Sequence, residues 1–187
     1  MGAQKEKVEF NDNSTGAFKD NTTGDITPED IRDLTESMQL SHGSIYFSTA
    51  IETSIAAADT FVKAAGTTTA EDVYRMTTAV ANRIVYTGTK DVHAEVTVTF
   101  SMTSAGNNKE IDFGIYHYDD SEASGSVVTG SKIRRKVGTG ADLGAAATSA
   151  SINLEENDYV EFWVANHTDD TNVTIELGRM HVQCAFA

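Results

Sequence analysis

Five histidines, one cysteine and two acidic clusters are the groups in this 187-residue chain whose types could make a reactive site. His42, His93, His117, His167 and His181 fall singly among different elements, so none has the close companions that metal-binding histidines usually keep. Copies of one histidine meeting on a threefold axis could still supply three ligands, but a histidine satisfied within its own strand is the simpler reading. Cys184 has no second thiol for a disulfide or thiolate metal site, and no histidine partner is in sight to make it a nucleophile. Asp119, Asp120 and Glu122 form one acidic cluster, and Asp169 with Asp170 another, both at expected turns. Calcium wants roughly six to eight oxygens, and neither cluster has the spacing of an EF-hand loop, so solvated turn carboxylates are expected. Paired carboxylates could also cleave a sugar bond, yet nothing in the spacing sets two of them across a cleft. The Gly-x-Ser-x-Gly, His-Glu-x-x-His, phosphate-loop and dinucleotide-loop patterns are all missing from the sequence. The expectation is a protein without catalytic residues, metal or cofactor, working by surface recognition.

Charge narrows the partners of such a surface. With 28 acidic against 14 basic side chains the net charge is −14, which repels phosphate backbones and anionic lipid, so neither nucleic acid nor membrane is expected. A basic run, Lys132-Ile-Arg-Arg-Lys136, holds four of the 14 positive charges. In a strand Lys132, Arg134 and Lys136 share one face, which either meets an acidic neighbour or keeps an edge strand from pairing; the edge reading is the commoner device. At 40% hydrophobic residues the chain can bury a real core. No run of about 18 apolar residues occurs, and the sequence from Met1 to Lys7 lacks the apolar stretch of a signal peptide, so a soluble chain made in a cytoplasm is expected.

The elements that must position these residues divide the chain in two. Residues 1 to about 25 are polar, with Val8, Phe10 and Phe18 as isolated apolar points, and read as an extended arm. A short amphipathic helix follows: Thr27 caps, Pro28 takes the first helical position, Glu29 and Asp30 sit on the positive end of the dipole, and His42-Gly43 ends it. Ile26 staples to Ile31, and Ile31, Leu34 and Met38 continue one apolar stripe that needs a surface to bury against. From Ser44 the pattern changes to strands rich in Val, Ile, Thr, Tyr and Phe, punctuated by Gly and Asn-Asp turns. The stretch 50–65 fits either helix or strand and is read as strand. Strands are further expected over 73–79, 83–87, 92–102, 111–118, 132–137, 147–154, 159–166 and 173–186. So many strands without an intervening helix mean an all-β sandwich or barrel, with residues 1–42 an arm and anchor and 43–187 the β domain.

Two strands carry large groups on both faces. Val160, Phe162 and Val164 alternate with Tyr159 and Trp163, while Ile111, Phe113 and Ile115 oppose Tyr116 and Tyr118. A single sandwich has one core, so Tyr116, Tyr118, Tyr159 and Trp163 on an outer face read as a subunit interface, or for the tyrosines as tips at a loop rim. Cys184 alternates with Met180, Val182 and Phe186 and reads as a small buried group of the last strand.

Three stretches carry a family likeness: Asn82-Arg-Ile-Val-Tyr-Thr-Gly88, Ile111-Asp-Phe-Gly-Ile-Tyr116, and Leu154-Glu-Glu-Asn-Asp-Tyr-Val-Glu-Phe-Trp-Val-Ala-Asn166. Over roughly residues 44–187 the chain resembles the tumour necrosis factor and C1q-like jelly rolls of bacteriophage virion proteins. Asn157 stands where a glycine is more usual, a mild departure because Asn tolerates a left-handed turn. The segment Gly24 to Ser37 looks like the short helical element near the N-termini of phage structural proteins. What the likeness implies is a jelly-roll homotrimer made in the bacterial host cytoplasm and located in the virion. It would be a capsid decoration or cement protein attached through residues 1–42 to the major capsid protein or another virion protein. The alternative it implies is a tail or head fibre module that binds host surface glycan or protein through the 119–129 and 138–147 loops.

Overall fold

A computed structural model describes residues 28–139 and 142–186, so the arm, Ile26 and the expected cap Thr27 lie outside the described residues. In chain order the elements are α1 (Pro28–Met38), β1 (His42–Ala50), β2 (Glu52–Thr53), β3 (Val62–Lys63), β4 (Gly66–Tyr74), β5 (Met76–Thr77), β6 (Arg83–Tyr86) and β7 (Val92–Ser104). They continue with β8 (Lys109–Asp119), β9 (Ser124–Val127), β10 (Ile133–Val137), β11 (Gly144–Leu154), β12 (Tyr159–Asn166) and β13 (Val173–Phe186). The strands form two antiparallel sheets of a jelly-roll sandwich. One runs β11-β7-β13-β1-β4 with β2 on β13; the other runs β10-β8-β12-β6-β5 with β3 on β12 and β9 on β8.

Alternation builds this sandwich. Along β7, Val92, Ala94, Val96, Val98, Phe100 and Met102 are buried while the residues between them face outward, as a two-residue repeat demands. Ile111, Phe113 and Ile115 of β8 and Val160, Phe162 and Val164 of β12 meet them from the other sheet. The Phe100 ring lies 4.3 Å from Phe113 and 4.8 Å from Phe162, tying the sheets at their centre. Cys184 is buried in β13, and burial pushes its thiol up to about 12, so it behaves as the small hydrophobe its spacing predicts.

One polar residue does core work. Asn82 is fully buried with a left-handed backbone (φ 53°). Its amide nitrogen donates to the carbonyls of Ala64 and Phe162, both at 2.9 Å, its side-chain oxygen accepts from Phe162 N–H, and its own N–H reaches Thr68 Oγ1. The segment before β4, the start of β6 and the middle of β12 are thereby joined through their backbone groups, and the Ala64 N–H adds its own bond to the Phe162 carbonyl at 3.0 Å.

Several boundaries differ from the sequence reading. The helix ends at Met38 instead of at His42-Gly43, because those two residues open β1. A Cβ at Gly43 would sit 2.8 Å from Met76 Sδ, so glycine there serves close packing and not a helix stop. After Ala50, the last residue of β1, the stretch 50–65 holds only the two-residue strands β2 and β3, separated by a turn in which Asp59 has φ 60°. The strand expected over 73–79 breaks at Arg75 (φ 53°), and most of β4 lies before it, a Thr-rich edge too polar to announce itself. β9 forms inside the expected 119–129 loop. Asn157 has φ 73°, the left-handed turn residue anticipated from the sequence.

α1 lies against the domain by polar contacts. Tyr74 donates its hydroxyl to Glu36 Oε2 at 2.9 Å, Arg75 Nη2 donates to the Glu36 carbonyl at 3.2 Å, and Asp33 is buried. The stripe points elsewhere: Ile31 is 48% and Met38 67% exposed, with Leu34 half-buried.

Candidate functional site

The outer face of the β8–β12 pair gathers all four aromatic residues expected at an interface. Register sets Tyr118 opposite Tyr159, Tyr116 opposite Glu161, and Trp163 opposite Gly114. The rings form a continuous row. Tyr118 stacks on Tyr159 at 4.6 Å, Tyr159 lies 6.3 Å from Tyr116, and Tyr116 stacks on Trp163 at 4.1 Å. All four are half-buried. Gly125 on β9 makes room for the row, since a Cβ there would lie 2.3 Å from the Tyr116 hydroxyl.

Charged groups lock the row in place. Glu161, on the same face and only 2% exposed, accepts at Oε1 from Lys63 Nζ and Arg83 Nε, both 2.7 Å away, and at Oε2 from Trp163 Nε1 at 2.8 Å. Both bases bind one oxygen and the indole the other, so each carboxylate oxygen has a partner despite its burial. Arg83 also covers the Tyr159 ring at 3.8 Å, and Lys132 sits 5.4 Å from the Phe61 ring. Desolvation raises Tyr116 above the ordinary phenol value, with the Glu161 charge acting the same way; desolvation likewise raises Tyr159. Both stay neutral donors at physiological pH.

This arrangement is suited to recognition by packing. Rings stacked on one another, and Tyr159 covered by Arg83, have surrendered ring faces on which a sugar would lie. What remains is a rigid row of aromatic rims, hydroxyls and cations, the residue types that concentrate binding energy between proteins. Sequence reasoning placed the four aromatics but passed over Lys63, Arg83 and Glu161. The signal for Glu161 lay in the alternation itself, because it falls between Tyr159 and Trp163 on their own face. Lys63 and Arg83 come from other strands, and only pairing brings them in.

The remaining candidates resolve into structural contacts. β10 is an edge strand, as the basic run implied, and Arg134 grips both Asp112 oxygens at 2.5 and 2.8 Å. Arg135 turns to the other side and donates to the Ala145 carbonyl at 3.0 Å. Asp59, Asp112 and His167 bring ligand-type atoms within 4.8 Å of one another. His167 is paired with Asp59 and Asp112 is held by Arg134, so the group clasps the 54–61 loop to the end of β12. Asp169 pairs with Lys109 and accepts from Thr171 N–H, and these contacts lower its carboxyl to about 2.

Acid gathers at one end of the sandwich. Asp158 is buried and accepts from the N–H groups of Asp120 (2.9 Å) and Glu155 (3.0 Å), with His117 Nε2 at 3.3 Å. Beside it the charge of Asp91 foremost, then desolvation and the charges of Asp119, Asp158 and Glu122, raise the Glu155 carboxyl above the usual value. No helix among the described residues is long and apolar enough to cross a membrane.

Neither a protein-family model nor a curated protein sequence matches this chain. Solved structures do. Eiger TNF from S. frugiperda superposes with a TM-score of 0.56 at 10% identity, covering 79% of this chain and 94% of that one. Murine APRIL at pH 5.0 gives 0.51 at 6% identity over 78% and 99% of the two chains. The PRD1 vertex protein P5 gives 0.46 at 12% identity over 79% and 97%, a fit too loose to weigh on function. At such identities the likeness to Eiger and APRIL establishes the fold alone: this chain is a TNF-like jelly roll.

Proposed function

We propose that this chain is a structural protein of a bacteriophage particle, a homotrimeric decoration or cement protein that acts by surface burial and catalyses nothing. Residues 1–42 attach it to the major capsid protein or another virion protein, and residues 43–187 form the displayed domain. The virion reading rests on the three sequence stretches and the N-terminal segment described above. The aromatic row Tyr116, Tyr118, Tyr159 and Trp163 serves the contact between copies.

The observation that carries the anchoring role is the way α1 is mounted. Its own domain holds it through Glu36, while Ile31 and Met38 stay in water. Covering the exposed part of each such side chain takes apolar surface out of water, worth up to about 1–2 kcal/mol before the costs of association, so the stripe is a ready surface for a second protein. Quantitative mass spectrometry of purified particles tests the proposal. Hundreds of copies per particle are expected, and particles grown with a chain lacking residues 1–41 should not carry it. A few dozen copies or fewer would replace decoration with a fibre, and none would end the virion reading.

A further inference from the structure

We propose that Asp59, Asp112 and His167 form a binding site for a zinc-class divalent metal ion, which fastens the 54–61 loop to the end of the β8–β12 pair.

Three segments deliver the donors, and backbone bonds set their positions independently of the side chains. Asp59 sits in the turn between β2 and β3, where its N–H donates to the Asn166 carbonyl at 2.9 Å. His167 directly follows β12, and its N–H donates to the Glu110 carbonyl at 2.8 Å. Asp112 lies on β8 opposite Ala165, two residues before His167, so the two-residue alternation turns Asp112 and His167 to the same outer side. One carboxylate oxygen of each aspartate and a ring nitrogen of His167 thereby come within 4.8 Å of one another. Zinc bonds of about 2.0–2.2 Å in a tetrahedron set donors roughly 3.3–3.6 Å apart, so a closure of at most about 1.5 Å completes the geometry. Asp59 can supply that movement, because its side chain is 63% exposed on a short turn. The fourth position falls to water, as in other sites with three protein ligands.

The donor types select the ion. Imidazole beside carboxylate suits zinc and its neighbours in the first transition row, whereas calcium and magnesium take oxygen ligands. Asp112 is also held as a ligand should be. Its side chain is only 17% exposed, and Arg134 donates to both of its oxygens from behind. Each oxygen keeps a second lone pair for a metal, and hydrogen bonds that orient a ligating carboxylate are the usual support of such a site. The local charges agree with a cation. Asp59, Glu110 and Asp112 stand against Arg134, which is 3.8 Å from Glu110 Oε2, and Lys136, opposite Glu110 in the register. Lys109 is engaged by Asp169, and Lys132 by the Phe61 ring. One carboxylate is thus left over, with His167 neutral when it ligates. The pairs His42–Asp72 and His117–Asp158 have no such third member, and among the described residues three groups of this kind converge only here.

The experiment titrates zinc chloride into the untagged full chain, stripped with EDTA and dialysed, by calorimetry, and follows thermal unfolding by circular dichroism. The expected result is one zinc ion per chain with a micromolar or tighter dissociation constant. At about 100 times that concentration the unfolding midpoint should rise by about 5 °C or more. Calcium and magnesium should leave it unchanged. Asp59→Asn and His167→Gln should each weaken zinc by at least about tenfold and remove the thermal shift, while His42→Gln and His117→Gln keep both. Wild-type chain that takes up no zinc overturns the proposal, as does uptake indifferent to Asp59→Asn and His167→Gln. A calcium shift as large as that of zinc overturns the imidazole-dependent site. Nuclear magnetic resonance of the wild-type histidine rings gives a reading that needs no variant. Zinc should shift the signals of one histidine among the five, and a spectrum that zinc leaves unchanged overturns the site.

Discussion

Tyr116 and Trp163 stack at 4.1 Å and 5° although they are not cross-strand partners. Glu161 stands opposite Tyr116 and Gly114 opposite Trp163, so the rings meet on the diagonal over a position with no side chain. Val127 takes part of that gap, since a Cβ at Gly114 would fall 2.4 Å from its Cγ1. Gly114→Ala is expected to force Val127 aside and destabilise the fold by about 1–3 kcal/mol. Urea unfolding followed by Trp163 fluorescence reads this, and an unchanged midpoint would show that the gap is slack.

Trp163→Ala should separate assembly from folding. The indole is half-buried on the outer face and not in the central core, so far-ultraviolet circular dichroism should keep its β signature while the oligomer dissociates to single chains. If sedimentation shows the wild-type mass, Trp163 does not lie at the contact between copies.

Asn82→Ala should be among the most damaging polar substitutions in the domain. It removes the partners of the Ala64 carbonyl and of Phe162 N–H, while the Phe162 carbonyl keeps the Ala64 N–H, and orphaning a buried group costs about 1–3 kcal/mol. Alanine also tolerates the left-handed backbone at φ 53° less well than asparagine. A variant with wild-type stability in urea would mean that water or a shift of β12 replaces the amide.

How much of this was legible beforehand differs from residue to residue. The alternation in β7 and β12 revealed strands, facing and the two-sided aromatic strands, because a period of two is written locally. Gly43 misled, since a glycine that stops a helix and one that lets Met76 approach are the same letter. Asn82 sat within the stretch that carried the family likeness, yet its job depends on Ala64 and Phe162, which only the fold brings near. Lys63, Arg83 and Glu161 were hidden for the same reason: three charges on three strands become one cluster through register alone. The gathering of Asp91 and Glu155 beside Asp119 and Glu122 was equally invisible in the separate sequence clusters.

Acid should loosen the end of β12 through Asp169. Its carboxyl is lowered to about 2 in the folded chain by Lys109 and Thr171, from an ordinary value of 3.8. A depressed carboxyl adds stability that is full above the ordinary value and is lost as pH falls through the folded one. The wild-type chain should therefore lose this contribution between about pH 4 and pH 2. Asp169→Asn should be less stable at pH 7 and show a flatter decline over that window. Parallel stability curves for the two chains across the window would remove Asp169 from the account.

β1 and β13 are paired side by side, His42 against Gln183, and β13 also runs the length of β7. The central strand of one sheet is thus supplied by residues far along the chain from the strand it completes. Contacts of such long sequence separation pay their loop-closure entropy before they return any stability, which slows folding from the microsecond range of local structures toward milliseconds or seconds. Until β13 is in place, β1 and β7 present open edges to every other nascent chain nearby. Where many chains are made at once, slow closure of this sheet lengthens the time in which those edges can pair with the wrong chain.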